Sequence, residues 1–327
     1  MSSDRSAMPA ASPGTVRIGL HSGQQYAAFG EIEAVWRTAE ELGYDWVSLF
    51  DHLRPAIHGP AGPCLEAVST LAALAARIPR VRCGLLVSHV GWRQPAVLAA
   101  AAATIDHISG GRLELGLGAG GPDLAFGQYG LPRPSLRIRA QQLAEACEVI
   151  RLLFTGGPVS FTGRHFQLRD AHLAPAPVQA VLPLVIGGRG PDTTLPVAAS
   201  HAQVWNCATM PIGQYAATAE RFTEQCVLAG RDPASVRRSL TFRAAITPDR
   251  ARATAARARV RSNGHEADLS EYVCWGSPHE CLDALAPYLA HGVTDFLLGA
   301  RPPVDWRTVE RFALEVAPLL RKEAGSR

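Results

Sequence analysis

The chain has 327 residues, 47% of them hydrophobic and 19% charged, which is enough for one barrel-sized domain or two smaller ones. With 32 Lys+Arg against 29 Asp+Glu the formal net charge is +3, and no basic cluster is interleaved with aromatics, so a nucleic-acid partner is not expected. The 7 cysteines are odd in number and none lie at Cys-x-x-Cys spacing, which disfavours zinc and a disulfide framework and fits reduced cytosolic thiols.

Residues 1–14 are rich in Ser, Ala and Pro and lack a basic start followed by an apolar run. They read as a flexible tail and not as a signal peptide. Val16 to Leu20 reads as a first strand, and His21-Ser22-Gly23-Gln24-Gln25 after it is no dinucleotide fingerprint. Ile32 to Leu42 puts Ile32, Val35, Trp36 and Ala39 on one helical face, and Gly43 suits a helix stop. Asp45 to Leu49 is a short apolar run of β-formers, and it ends in Asp51-His52. A Gly/Pro-rich loop spans Arg54 to Pro63, and a helix from Leu65 to Arg77 stops before Pro79.

Val81 to Val87 reads as the third strand and Pro95 to His107 as a helix with proline in its first turn. Arg112 to Leu117 is the fourth strand, followed at once by Gly118-Ala119-Gly120-Gly121 and by a helix from Ser135 to Phe154. The rhythm then breaks. Val159-Ser160-Phe161 and His165-Phe166-Gln167-Leu168 flank Thr162-Gly163-Arg164, a hairpin signal. His165 and His172 in this insertion read as surface residues. Strands at Leu184–Ile186, Gln203–Trp205, Leu240–Ile246 and Asp295–Leu298 follow. Helices alternate with them at Ile212–Ala229, Ala251–Val260, His279–Ala290 and Trp306–Lys322.

About eight β/α units in series favour a (β/α)8 TIM barrel over an open doubly wound sheet. The expected organisation is a single barrel domain over 15–322 with a hairpin insertion at 159–180, after the fourth unit, and a tail at 323–327. The apolar helical run Ala96 to Ile105 is shorter than the ~20 residues that cross a bilayer, so a cytoplasmic protein without a membrane partner is expected.

Chemistry in a parallel barrel gathers at the carboxyl ends of the strands. The groups there are Asp51-His52, Ser88-His89, the glycine turn 118–121, Gly187-Gly188-Arg189-Gly190 and Trp205-Asn206. His52 can exchange a proton near neutral pH beside Asp51, or it can merely close the strand end by hydrogen bonding. Glycine turns admit a flat ring or a phosphate, and Arg189 adds a positive charge. Plain turn chemistry is the competing reading. The second Asp-His pair, Asp106-His107, falls at a helix carboxyl end on the opposite face and reads as structural. His89 could line the pocket or serve packing. No metal-ligand spacing and no Gly-x-Ser-x-Gly elbow occurs, and a metal is not expected.

Taken in order, these residues resemble the luciferase-like monooxygenase superfamily, and within it the coenzyme F420-dependent oxidoreductase subgroup. The most specific match runs from Asp106-His107-Ile108-Ser109-Gly110-Gly111 through Arg112-Leu113-Glu114-Leu115-Gly116-Leu117 to Gly118-Ala119-Gly120. Asp51-His52-Leu53, Arg93 to Ala99, Pro158 to Phe166, Ile186-Gly187-Gly188 and Trp205-Asn206 support it.

The resemblance implies a TIM barrel, a homodimer, and F420 (or FMN as the alternative) at the top of the barrel. It implies that His52 handles the substrate proton while hydride moves to or from a deazaflavin, with Asp51, Ser88, Ala119 and Gly120 near the ring. Gly187, Gly188 and Arg189 would lie on the phosphate side. A non-prolyl cis peptide under the ring is implied among Leu85, Leu86 and Val87. The family's sugar-phosphate dehydrogenases carry tryptophan where this chain has Ala56 and an acid where it has Gly121. A different small organic substrate is therefore expected, in a more apolar pocket lined by His89, Trp92, Phe126 or Tyr129. An FMN monooxygenase using oxygen, and a non-catalytic cofactor-binding paralogue, are the alternatives.

Overall fold

The computed structural model describes residues 15–55, 61–121, 125–252, 254–255 and 273–326. The expected tail at 1–14, Ala56 and most of the expected helix Ala251–Val260 lie outside them. The described strands are β1 (Arg17–Ser22), β2 (Trp46–Leu49), β3 (Arg82–Leu85), β4 (Ser88–His89), β5 (Leu113–Gly118) and β6 (Val159–Thr162). They continue with β7 (Gln167–Ala171), β8 (Leu184–Gly187), β9 (Val204–Ala208), β10 (Arg237–Ile246), β11 (Val273–Gly276) and β12 (Val293–Ala300).

Eight of them close a parallel barrel in the order β1-β2-β3-β5-β8-β9-β10-β12, with β12 pairing back onto β1. The expected (β/α)8 barrel is therefore present. β6 and β7 form a separate antiparallel hairpin between the fourth and fifth barrel strands, with Gly163 N–H bonded to Phe166 O at its turn. His165 is half-buried there, contrary to the sequence expectation. Its ring bonds Gln141 Oε1 and its backbone N–H bonds Glu145 Oε2. His172 is exposed.

Helices α1 (Phe29–Glu41), α2 (Ala67–Arg77), α3 (Pro95–Ser109), α4 (Ala125–Gln128), α5 (Leu136–Phe154), α6 (Thr194–His201) and α7 (Ile212–Leu228) alternate with the strands. Their ends follow local chemistry. The Gln94 side chain accepts N–H bonds from Ala96 and Val97 to start α3, and Gly110 stops it in the left-handed conformation (φ 66°). Ser135 caps α5, whose inner face buries Leu143, Cys147 and Ile150 against the sheet. Each such aliphatic side chain contributes about 1.5–3 kcal/mol. The final helical stretch runs through a π turn at Phe312–Val316 and on to Gly325, into the segment expected as a tail.

Strand side chains alternate, so every second residue faces the barrel interior. Trp46, Leu86, Val185, Val204 and Leu297 form a small interior cluster distinct from the main core between sheet and helices. Gly84 makes room for it: a Cβ there would lie 2.1 Å from Glu114 O and 3.3 Å from the Trp46 indole. Below this cluster, at the strands' amino ends, sits a buried charge network. Arg17 bonds Glu114 (2.6 Å) and Asp295 (3.1 Å). Arg82 bonds Glu114 (2.7 Å), and Arg237 bonds Asp295 (3.0 Å). No described helix is long and apolar enough to cross a membrane.

Candidate functional site

The site grows from the end of β2. Asp51 is 4% exposed, and its Oδ2 accepts bonds from the Ser88 hydroxyl (2.7 Å), the His89 N–H (3.2 Å) and the Arg93 guanidinium. Its other oxygen, Oδ1, is buried with no hydrogen-bond partner among the described residues. Burial alone would lower the Arg93 pKa, but the Asp51 and Glu66 charges raise it, so the cation is secure. Arg93 also bonds Glu66, the residue that caps α2 by accepting from Val68 N–H (3.1 Å) and Ser69 N–H (2.7 Å). One guanidinium therefore joins the site carboxylate to a helix end. The loop between them is pinned on its return by Tyr26 N–H to Pro63 O (2.9 Å) and by a bridge between Gln25 and Cys64.

His52 is half-buried beside two aromatic rings. Its ring lies 5.8 Å from Phe50 and 6.1 Å from Trp92. Trp92 stacks on His89 (4.9 Å, 13°), and Phe126 meets His89 edge-on (4.8 Å). His89 Nδ1 accepts Gly91 N–H (2.9 Å). The other side of the ring is seated on the glycine turn, where a Cβ at Gly120 (φ +75°) would lie 1.6 Å from His89 Nε2. His89, Trp92 and Phe126 thus come together as expected, but His89 and Phe126 are buried and form a wall, not open lining. Tyr129 does not join them. It is 57% exposed, and its hydroxyl donates to Leu53 O (3.0 Å) from outside the loop.

Sequence reasoning missed two residues. His21 read as lying beyond the first strand, yet β1 runs to Ser22 and carries His21 inward. Its Nδ1 is 2.8 Å from Ser48 Oγ and its ring 4.1 Å from Phe50. Burial first, then the charges of Arg301 and His52, hold its pKa down at about 3, so it is neutral. The second is Arg139 on α5. It donates to the carbonyls of Ala119 (3.0 Å), Gly120 (2.8 Å) and Gly121 (3.4 Å) and fixes that turn from below. No local spacing signals either role.

The Leu86–Val87 peptide is cis, within the window Leu85–Val87. Val87 fills the space beside two glycines: a Cβ at Gly118 or Gly187 would lie 2.5 or 3.0 Å from its methyls. These glycines give Val87 its seat and do not themselves frame an open cradle. Gly188 N–H bonds Asn206 O (3.0 Å), and Trp205 Nε1 bonds Gly188 O (2.7 Å), so the second turn is held by β9. Arg189 is exposed on that turn. Asn206 donates to Ser239 Oγ (2.9 Å) and Thr241 Oγ1 (3.1 Å), a strand-to-strand tie.

Asp51, Ser88, His89, Gly120, Val87 and Gly187 therefore form a packed cluster at the barrel mouth. Asp106 and His107 lie apart from it. Asp106 accepts from Gln179 N–H (3.0 Å) and Nε2 (2.7 Å), and His107 Nε2 lies 2.8 Å from Ala176 O, so both fasten the segment before β8. Among the described residues no group of His, Cys, Asp and Glu could hold a metal ion.

Comparison with known proteins agrees with this architecture. The F420-dependent glucose-6-phosphate dehydrogenase of Kribbella flavida is 28% identical over 94% of this chain and 99% of its own length. The protein of the same name from Microbacterium testaceum is 35% identical, but over 55% of this chain, and the match spans about half of that relative (53%). An F420-dependent secondary alcohol dehydrogenase in complex with an F420-acetone adduct superposes with a TM-score of 0.82 at 22% identity, covering 93% of this chain and 98% of that one. The F420-dependent tetrahydromethanopterin reductase of Methanopyrus kandleri gives 0.79 at 21%, covering 94% and 99%. At such identities these structures speak for the fold alone. The luciferase-like monooxygenase family profile matches residues 10–272, most of the sequence, and the chain belongs to that family.

Proposed function

We propose that this protein is an F420-dependent oxidoreductase that moves a hydride between the deazaflavin and a C=C, C=N or C=O bond of a small organic molecule, or the reverse. The observation that carries the reading is Asp51 Oδ1: a buried carboxylate oxygen lacking a partner among the described residues, beside a half-buried histidine, at the carboxyl end of a barrel strand. A buried acceptor left unpaired among the described residues is one that a ligand donor can satisfy. The heterocyclic N–H of a deazaflavin is such a donor, so the residues present fit the group. The relatives named for F420 point the same way.

Bound F420 supplies or takes up the hydride. The remaining work falls to side chains. His52 gives the accompanying proton to the substrate when it is reduced and takes it when it is oxidised. Asp51 holds the ring, and Ser88 and Arg93 keep its carboxylate aimed. The arginine-fixed turn at Ala119–Gly121 sets the position of Gly120 under His89. Trp92 and Phe50 flank His52 and keep water from its ring. Gly187, Gly188 and Arg189 serve the cofactor's phosphate side. Gly121 has no side chain with which to supply a second acid, so His52 acts as the main proton-transfer residue.

The test is a fluorescence titration of the purified chain with F420 and, separately, with FMN. Saturable F420 binding that weakens in Asp51→Asn, with FMN bound more weakly, is the expected result. FMN binding without F420 binding, or oxygen-dependent turnover, would replace this reading with the monooxygenase one.

A further inference from the structure

Two guanidiniums at the open end take no part in the contacts above. Arg243 lies two residues after Thr241 on β10, and Arg301 two residues after Gly299 on β12. The strand period carries Arg243 to the inner side, and Arg301 follows directly on the end of β12. Arg243 lies across Gly299, where a Cβ would be 3.8 Å from its Cγ. The Arg301 guanidinium carbon sits 4.7 Å from the Phe50 ring centroid. Both side chains are half-buried. Among the described residues neither has an ion pair or a hydrogen bond. The contrast with the other inward arginines is sharp, since Arg17, Arg82, Arg93 and Arg237 each bond a carboxylate.

Burial, then the Arg243 charge, lowers the Arg301 pKa to about 9, and burial alone lowers that of Arg243. A desolvated cation without a counterion is unfavourable for the fold, and two side by side repel each other. Such an arrangement is complementary to an oxyanion, which the guanidinium fork binds through paired hydrogen bonds.

We infer that Arg243 and Arg301 form an anion subsite that grips a carboxylate or phosphate group of the substrate and sets its reacting bond toward His52. Phe50 gives the subsite its reach. Its ring is 4.7 Å from the Arg301 guanidinium and 5.8 Å from the His52 ring, so one small molecule lying along Phe50 meets both. The subsite names the substrate class for the proposed reaction and rests on that reading only for the chemistry, because anion binding is measurable with the cofactor absent.

The experiment is calorimetric titration of the full chain, with and without F420, using benzoate, phenyl phosphate and benzyl alcohol as probes. Wild type is compared with the double variant Arg243→Gln/Arg301→Gln. One anion should bind at least about ten-fold more tightly than the alcohol, weaken by about ten-fold in the variant, and weaken with added salt. Preference for benzoate identifies a carboxylate, and preference for phenyl phosphate a phosphate. The variant should melt at the same temperature or higher, because it loses two cations that no described residue compensates. Equal binding of anions and alcohol, undiminished anion binding in the variant, or a fall in its melting temperature overturns the subsite. A parallel loss of F420 affinity in the variant also overturns it, since the arginines would then hold the cofactor. Anion binding that survives while F420 fails to bind keeps the subsite and removes the redox reading.

Discussion

The two ends of the barrel interior are built from the same strands with opposite polar economies. At the amino ends, Arg17, Arg82 and Arg237 converge on Glu114 and Asp295, and the two carboxylates are 2% exposed. Burial alone would raise Glu114, but Arg17 and Arg82 overcome it and hold it at about 2. At the carboxyl ends His21 is buried neutral, and among the described residues Asp51 Oδ1 has no partner and Arg243 and Arg301 lack acids. A polar network completed within the chain serves stability, whereas one left incomplete awaits a ligand.

The most forceful way to break this comparison is to unbalance the completed end. Asp295→Ala leaves Arg17 and Arg237 without their shared carboxylate and should destabilise by about 3–5 kcal/mol in urea melts. A loss below about 1 kcal/mol would mean that the network is solvated. At the other end, His52→Ala should lower turnover about 100-fold or more, with F420 saturating, and leave the melting temperature within about 2 °C. A large melting shift with turnover intact would reverse the assignment.

pH separates the ends further. His21 has a folded pKa of about 3, below its unfolded value, so the unfolded chain takes up its proton first. Its contribution is full above pH ~6.5 and declines as pH falls toward 3. Between pH 7 and 5 wild type should lose about 2 kcal/mol more than His21→Asn, read from denaturant midpoints. Glu114 acts lower, because its ion pairs weaken only as pH drops below ~4.5 toward its folded value. The smallest effect is expected at the link between loop and helix. Glu66→Ala removes the α2 cap at about 1 kcal/mol, while Ser88 and Arg93 still hold Asp51 and turnover stays within about threefold.

The barrel was legible because apolar runs and helical faces alternate along the chain, a local signal that needs no long-range knowledge. Asp51 and His52 were legible for the same reason: they interrupt an apolar run where a parallel strand must end. What escaped detection depends on pairings far apart in sequence. Arg17 and Asp295 are separated by 278 positions, and a charged residue at a strand's start looks like ordinary loop polarity until the barrel closes. β11 passed unnoticed because Val273–Gly276 is short and pairs only with the end of β10. The break between β3 and β4 likewise hides inside an unbroken apolar run. Residue type alone points Tyr129 toward the pocket, whereas the fold sets it on the rim.

The Asp51–Arg93–Glu66 bridge has a consequence for how such a chain can change. It clamps both banks of the loop that follows His52, so the span between them can be lengthened, shortened or rewritten without shifting the carboxylate. A scaffold fastened in this way can take up new substrates by editing one stretch of sequence, while the carboxylate proposed to hold the cofactor stays where it is.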